Sequence, residues 1–187
     1  MPDAAPAGFR ILSLSGGGYL GLYTATVLAG LEEHTREPLA RRFDLVAGTS
    51  VGGILAAAVA MEVPMRQIVD LFLSRGTEVF SPRALPSGAM SRLLDMSRSV
   101  LGPKYTGAAL REALQVHLGE RTLADVPHPL LLPAVNVTRS LTKVFKTPHV
   151  PASRGDESVR VLDAVMATCA APAYFPAVRI GDALYAD

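Results

Sequence analysis

The sequence predicts one α/β domain built in three layers, and three observations carry that prediction. A short apolar strand pattern, Phe9–Leu14, runs into a glycine-rich turn and then a helical pattern to about Arg36. A second unit repeats the theme: the mostly apolar run Phe43–Ala47, the pentapeptide Gly48-Thr49-Ser50-Val51-Gly52, and an alanine-rich helical stretch. Late strand patterns close the chain, where Ala177–Ile180 and Ala183–Ala186 flank Gly181-Asp182, the composition of a two-residue hairpin turn.

The first turn reads Ser15-Gly16-Gly17-Gly18-Tyr19-Leu20-Gly21. Successive glycines between strand and helix leave backbone N–H groups bare near a helix N-terminus. That suits an anion, either a phosphate or the oxyanion of an acyl-transfer intermediate. Gly16, Gly18 and Gly21 also satisfy G-x-G-x-x-G, so a dinucleotide-binding turn is an alternative. That alternative wants an acidic residue closing the second strand, roughly 20 residues further on. The nearest candidate, Asp44, opens that strand instead.

Ser50 stands in G-x-S-x-G with a strand pattern before it and a helix pattern after it, the context of a nucleophile elbow. The serine must project its hydroxyl from a strained turn, and Gly48 and Gly52 keep bulk away from it. Leu45–Met61 carries no charged side chain over 17 residues. A spanning helix needs about 20 apolar residues. The segment also contains Gly48, Ser50, Gly52 and Gly53, so it reads as a buried strand, the elbow and a core helix.

Met65–Arg75 has helical spacing at Met65, Ile68, Val69 and Phe72, and Glu78–Gly88, with Pro82 and Pro86, reads as an irregular connection. A helix is expected over Ala89–Ser99, another from an N-cap at Thr106 through Leu118, with Gly119 as its stop. Leu130–Val137 and Thr142–Lys146 read as strands around a turn at Thr138-Arg139-Ser140. Val150–Ser158 reads as a polar surface loop, and Val161–Cys169 as a helix.

The chain is 49% apolar with a mean hydropathy of +0.29, enough for one sizeable core. A formal charge of +1 with no basic stripe argues against a nucleic acid polymer as partner. The octet Met1–Gly8 reads as an N-terminal extension and lacks the cationic and apolar regions of a secretory signal. The single cysteine, Cys169, excludes an internal disulfide framework, suits a reducing compartment and reads as a buried small residue. No His/Cys/Asp cluster has metal-ligand spacing, so no metal or other cofactor is expected.

Four blocks stand in a telling order. They are the glycine loop after the first strand, G-x-S-x-G at Ser50, the stretch Ala167-Thr168-Cys169-Ala170-Ala171-Pro172-Ala173-Tyr174-Phe175-Pro176, and Asp187 closing a late strand. Together they resemble the patatin-like phospholipase family, whose third block reads A-S-x-A-A-P-x-Y-F-P before its catalytic Asp. The resemblance implies a three-layer α/β/α fold with a mostly parallel central sheet over residues 9–187. It also implies a lipid acyl hydrolase with a Ser50–Asp187 dyad and an oxyanion hole from Gly16, Gly17 and Gly18 with Val51. Two departures are visible. Leu20 replaces the basic residue of the family's G-G-G-x-[RK]-G loop, and the sequence stops at Asp187 where the family continues with Gly-Gly or Gly-Ala. The expectation is that the domain is incomplete at its C-terminus.

A serine hydroxyl is a weak nucleophile and needs a base within hydrogen-bond reach. No histidine follows Asp187, and His34, His117, His128 and His149 fall in helices or loops. A carboxylate base is therefore preferred to a histidine-centred triad; it would need a partly desolvated site to raise its pKa toward working pH. The substrates implied by the resemblance are phospholipids or other lipid esters, met at a transient membrane surface by a cytoplasmic protein. Leu85, Met90, Leu93, Leu94 and Met96 could line an acyl channel, dock on a membrane or belong to the core. Arg10–Gly21 further resembles bacterial antiphage effectors of this family, which implies a cyclic dinucleotide activator and a role in antiviral defence. The resemblance admits an oligomer. A lipid-binding or scaffold protein that keeps the fold without turnover is the other class left open.

Overall fold

Six strands form one mixed sheet in the computed structural model, which describes residues 8–79 and 105–187. The strands are β1 (Ile11–Leu14), β2 (Leu45–Gly48), β3 (Leu130–Asn136), β4 (Leu141–Lys146), β5 (Val178–Ile180) and β6 (Ala183–Ala186). The helices are α1 (Gly21–Thr35), α2 (Val51–Ala60), α3 (Met65–Val79), α4 (Ala108–Leu118) and α5 (Val161–Thr168). β1, β2 and β3 are parallel neighbours, β4 and β6 each run antiparallel to β3, and β5 is antiparallel to β6. Four of the six strands, β1, β2, β3 and β5, thus point the same way, and the α/β class with a mostly parallel sheet is borne out.

The described helices gather on one face of the sheet. Because β1, β2 and β3 are adjacent in chain order, right-handed crossovers place their connections on one face. On that face α2 and α5 pack directly on the strands, with α1, α3 and α4 outside them. The described helices thus form an inner and an outer row on that face. The opposite face carries Ile11, Leu131 and Val135, which are exposed or half-buried.

All ten residues of α2 are buried, because its alanines let the helix sit close to the sheet with other helices beyond it. That is the buried segment expected over Leu45–Met61. α1 ends at Arg36 in a left-handed conformation, φ 57°, within the expected boundary. α3 continues four residues beyond the expected Arg75, so Glu78 and Val79 are helical and not part of an irregular connection. The rest of that connection, the expected Ala89–Ser99 helix and Leu85, Met90, Leu93, Leu94 and Met96 lie outside the described residues. α4 starts one residue later than a Thr106 cap implies. Gly107 is its N-cap, and Thr106 Oγ1 accepts the Ala108 N–H. The Val150–Ser158 loop is less superficial than its polarity suggests, because Ser153 and Asp156 are buried. Asp156 is held by Lys143 on β4, a pairing that makes its burial tolerable.

The pairing of β3 positions the site. A strand has two edges, and alternate residues turn their backbone groups to each. Odd-numbered residues of β3 face one edge: Pro129 O accepts from Val46 N–H, and Val137 N–H donates to Leu184 O. Even-numbered residues face β4, as when Thr147 N–H donates to Leu130 O. β2 and β6 therefore share one edge of β3, β2 alongside Leu130 and Leu131, β6 alongside Val135 and Asn136. They approach tip to tip, and Pro133 lies in the gap between them. Proline suits that gap because it has no N–H to leave unpaired.

Candidate active site

Ser50 stands where β2 turns into α2, with φ 55° and ψ −131°. A non-glycine residue in this region costs about 1–3 kcal/mol and persists only when its surroundings enforce it. The surroundings are visible. A side chain at Gly48 would strike the backbone of Gly52, and one at Gly52 would strike the carbonyls of Leu14 and Ser15. Both glycines of G-x-S-x-G are thus fixed by close backbone approach, and the elbow is locked against the end of β1. Ser50 is half-buried.

The glycine loop leans on that serine. A Cβ at Gly16 would lie 2.9 Å from Ser50 Cβ and 3.6 Å from its Oγ. Gly17 and Gly18 have φ 153° and 58°, and the loop from Ser15 to Gly17 is exposed. Among the described residues, the amides of Gly17 and Gly18 donate to no protein acceptor. Val51 opens α2, so its N–H belongs to the donors a helix start leaves unsatisfied. Bare donors on two sides of a strained serine make a cradle for developing negative charge. A side chain at Gly21 would strike Val51, so the third glycine of the G-x-G-x-x-G pattern serves helix packing. Asp44, the acidic residue weighed for a dinucleotide site, accepts the Arg10 N–H at 2.7 Å and ties β1 to β2.

Asp187 reaches the same place from β6. Extending the two registers brings Thr49 level with Pro133 and Asp187 level with Ala134, on the edge of β3 that β2 and β6 share. The Asp187 N–H donates to Ala170 O at 3.0 Å, and the residue is half-buried. Two residues earlier in that segment, Thr168 Oγ1 accepts the Ser50 N–H at 3.1 Å and donates to Pro133 O at 2.5 Å. The end of α5 thus touches both sequence-predicted partners of the dyad. Thr168 lies inside the third sequence block, but its contacts were not legible there. The signal there was a small hydroxyl residue at the second position of the block, in a mostly apolar run.

The histidines lie elsewhere. His128 Nε2 meets Glu62 at 2.9 Å, His149 Nδ1 meets Thr147 Oγ1 at 2.9 Å, and burial lowers the pKa of His117 on α4. His34 is exposed near the end of α1. Cys169 is a buried free thiol whose pKa is pushed up by burial and then by the charge of Asp187. Among the described residues no group of three His, Cys, Asp or Glu side chains converges as metal ligands would.

Known proteins are similar to this chain over most of its length. The patatin-like phospholipase family model matches residues 12–187. A cGAMP-activated phospholipase of Pseudomonas aeruginosa (strain BWHPSA011 / Pa011) is 43% identical over 179 residues, 96% of this chain and 52% of its own. Another cGAMP-activated phospholipase, from Vibrio cholerae, is 36% identical over 89% of this chain and 49% of its own. Patatin-17 of Solanum cardiophyllum is 28% identical over 89% of this chain. The chain spans about half the length of the relatives it matches. Among solved structures, VipD from Legionella pneumophila superposes with a TM-score of 0.58 over 98% of this chain and 46% of its own, at 13% identity, a likeness of fold alone. With the family model spanning nearly the whole sequence and both glycine turns locked around Ser50, the chain belongs to the patatin-like phospholipase family.

Proposed function

We propose that this chain carries the catalytic centre of a phospholipase that works through Ser50 and Asp187. The observation that carries the reading is the strained Ser50, φ 55°, with the bare amides of Gly17 and Gly18 beside it. Ser50 Oγ attacks the ester carbonyl carbon as Asp187 takes its proton. The amides of the glycine loop and of Val51 hold the oxyanion. The intermediate collapses, Asp187 passes the proton to the leaving alcohol oxygen, and an acyl-Ser50 ester remains. Water, giving its proton to Asp187, then attacks that ester, and the fatty acid leaves as Ser50 regains its hydrogen. Removing one such oxyanion donor costs about a hundredfold to a thousandfold in rate.

Membrane phospholipids are the substrate this reading favours. Leu20, the residue that caps α1, and Tyr23, Val27 and Leu31 on α1 are exposed at helical spacing, and the row begins two residues after Gly18. An apolar row leading from the site would let the protein rest on a lipid surface while an acyl ester enters. No helix among the described residues is long and apolar enough to cross a membrane. The names of the bacterial relatives support a cyclic dinucleotide as activator.

The test is fatty-acid release from phospholipid vesicles by the full-length protein. Wild type, Ser50→Ala and Asp187→Asn are each assayed with and without a panel of cyclic dinucleotides. The expected result is release that depends on a nucleotide and is abolished in both variants. Undiminished release by Ser50→Ala, or no release by folded wild type under any condition, overturns the reading.

A further inference from the structure

We infer that Thr168 is a positioning residue for the nucleophile, holding the Ser50 backbone in its strained turn; this rests on the reading of Ser50 as the attacking group. Thr168 is fully buried, in the last turn of α5 among Val165, Met166 and Ala167. A hydroxyl is expensive in such a place unless it is hydrogen-bonded. This one uses both its capacities. Pro133 offers only a carbonyl and the Ser50 amide offers only a donor, so the Thr168 proton points to Pro133 and its oxygen receives Ser50 N–H.

Both partners need it for reasons built into the fold. Pro133 lies in the gap between the tips of β2 and β6, so no strand takes its carbonyl. Ser50, at φ 55°, has left the β2 ladder without joining the α2 one, so its amide has no place in either. The Thr168 methyl is seated as well. A Cβ at Gly53 would lie 2.6 Å from Thr168 Cγ2, so the glycine leaves room for that methyl. The side chain is thereby fixed to one orientation. The same segment receives the Asp187 N–H at Ala170 O. Thr168 thus ties the nucleophile to the strand gap where the carboxylate arrives.

Thr168→Val keeps the shape and removes both hydrogen bonds, whereas Thr168→Ser keeps both. In the full-length protein, with and without the cyclic dinucleotide panel, the measurement is the rate of Ser50 labelling by a fluorophosphonate probe, with kcat and KM for vesicle hydrolysis alongside. The expected result is a fall of about tenfold to a hundredfold in labelling rate and kcat for folded Thr168→Val, from misplacement of a reacting atom. KM should change little, and Thr168→Ser should restore the rate. Labelling of Thr168→Val at the wild-type rate overturns the inference while leaving Ser50 as nucleophile. A wild type that does not label, or Ser50→Ala that still does, overturns the nucleophile reading and this role with it. Should Thr168→Val not fold, amide hydrogen exchange decides the matter. Ser50 N–H must be protected in wild type and in Thr168→Ser, and exchange at the rate of an open amide overturns the inference.

Discussion

An alanine at position 16 would set a methyl group against the nucleophile, and the size of the effect follows from the geometry. The new Cβ would lie 2.9 Å from Ser50 Cβ, about half an ångström inside ordinary contact at 3.4 Å. Thr49 O, at 3.3 Å, blocks retreat to one side. Gly16 itself does not have a left-handed φ, so alanine meets no backbone penalty there and the fold should survive. Either Ser50 turns aside, or the loop lifts and carries the Gly17 and Gly18 amides away from the oxyanion. Misplacement on this scale costs about a hundredfold in rate, or about 2.7 kcal/mol of transition-state stabilisation. The assay is fluorophosphonate labelling of Gly16→Ala, with thermal unfolding measured on the same sample. Gly30→Ala is the control. Gly30 sits in the middle of α1 with nothing within 4 Å of an added Cβ, so that variant should gain up to about 1 kcal/mol of stability and label normally. Wild-type labelling by Gly16→Ala would refute the claim that the glycine loop abuts the nucleophile.

Three further outcomes are expected. Gly52→Ala should lose several kcal/mol of stability, about 3 or more, because its methyl strikes the Leu14 and Ser15 carbonyls; a denaturant melt matching wild type would contradict the packing of the elbow on β1. Hydrogen bonds from Arg41 and then His128 hold the Glu62 carboxyl down at about 2, from the usual 4.5. A depressed carboxylate stabilises the fold fully above pH 4.5 and loses that contribution as pH falls toward 2. The pair is largely solvated, so its contribution is small. Glu62→Gln should therefore lower Tm by a few degrees at most at pH 7, with the gap to wild type narrowing below pH 4.5. An unchanged gap across that range would exclude Glu62 as its source. Burial and the Asp187 charge keep the Cys169 thiol protonated, so iodoacetamide should not modify the native protein at pH 8 but should modify it once unfolded. Rapid native alkylation, read by mass, would show the end of α5 to be open.

By itself the sequence determined the local chemistry. The G-x-S-x-G turn, the glycine loop and the hairpin at Gly181-Asp182 were legible because each depends on a few adjacent residues. A local backbone demand leaves a local residue signature. The alternation of strand and helix gave the α/β class for the same reason. What only the tertiary structure decided are relations between segments distant in sequence. That β2 and β6 share one edge of β3, meeting across Pro133, is a matter of register, and no short pattern encodes a register between strands dozens of residues apart. That the described helices gather on one sheet face follows from strand order, which composition does not carry. Asp156 looked like a loop residue because its partner Lys143 comes from β4. Thr168 looked like one polar residue in an apolar helix, and its two partners lie 118 and 35 residues away in the chain. Such contacts become physical only when folding brings the donor and acceptor together and takes away the water that would otherwise satisfy them.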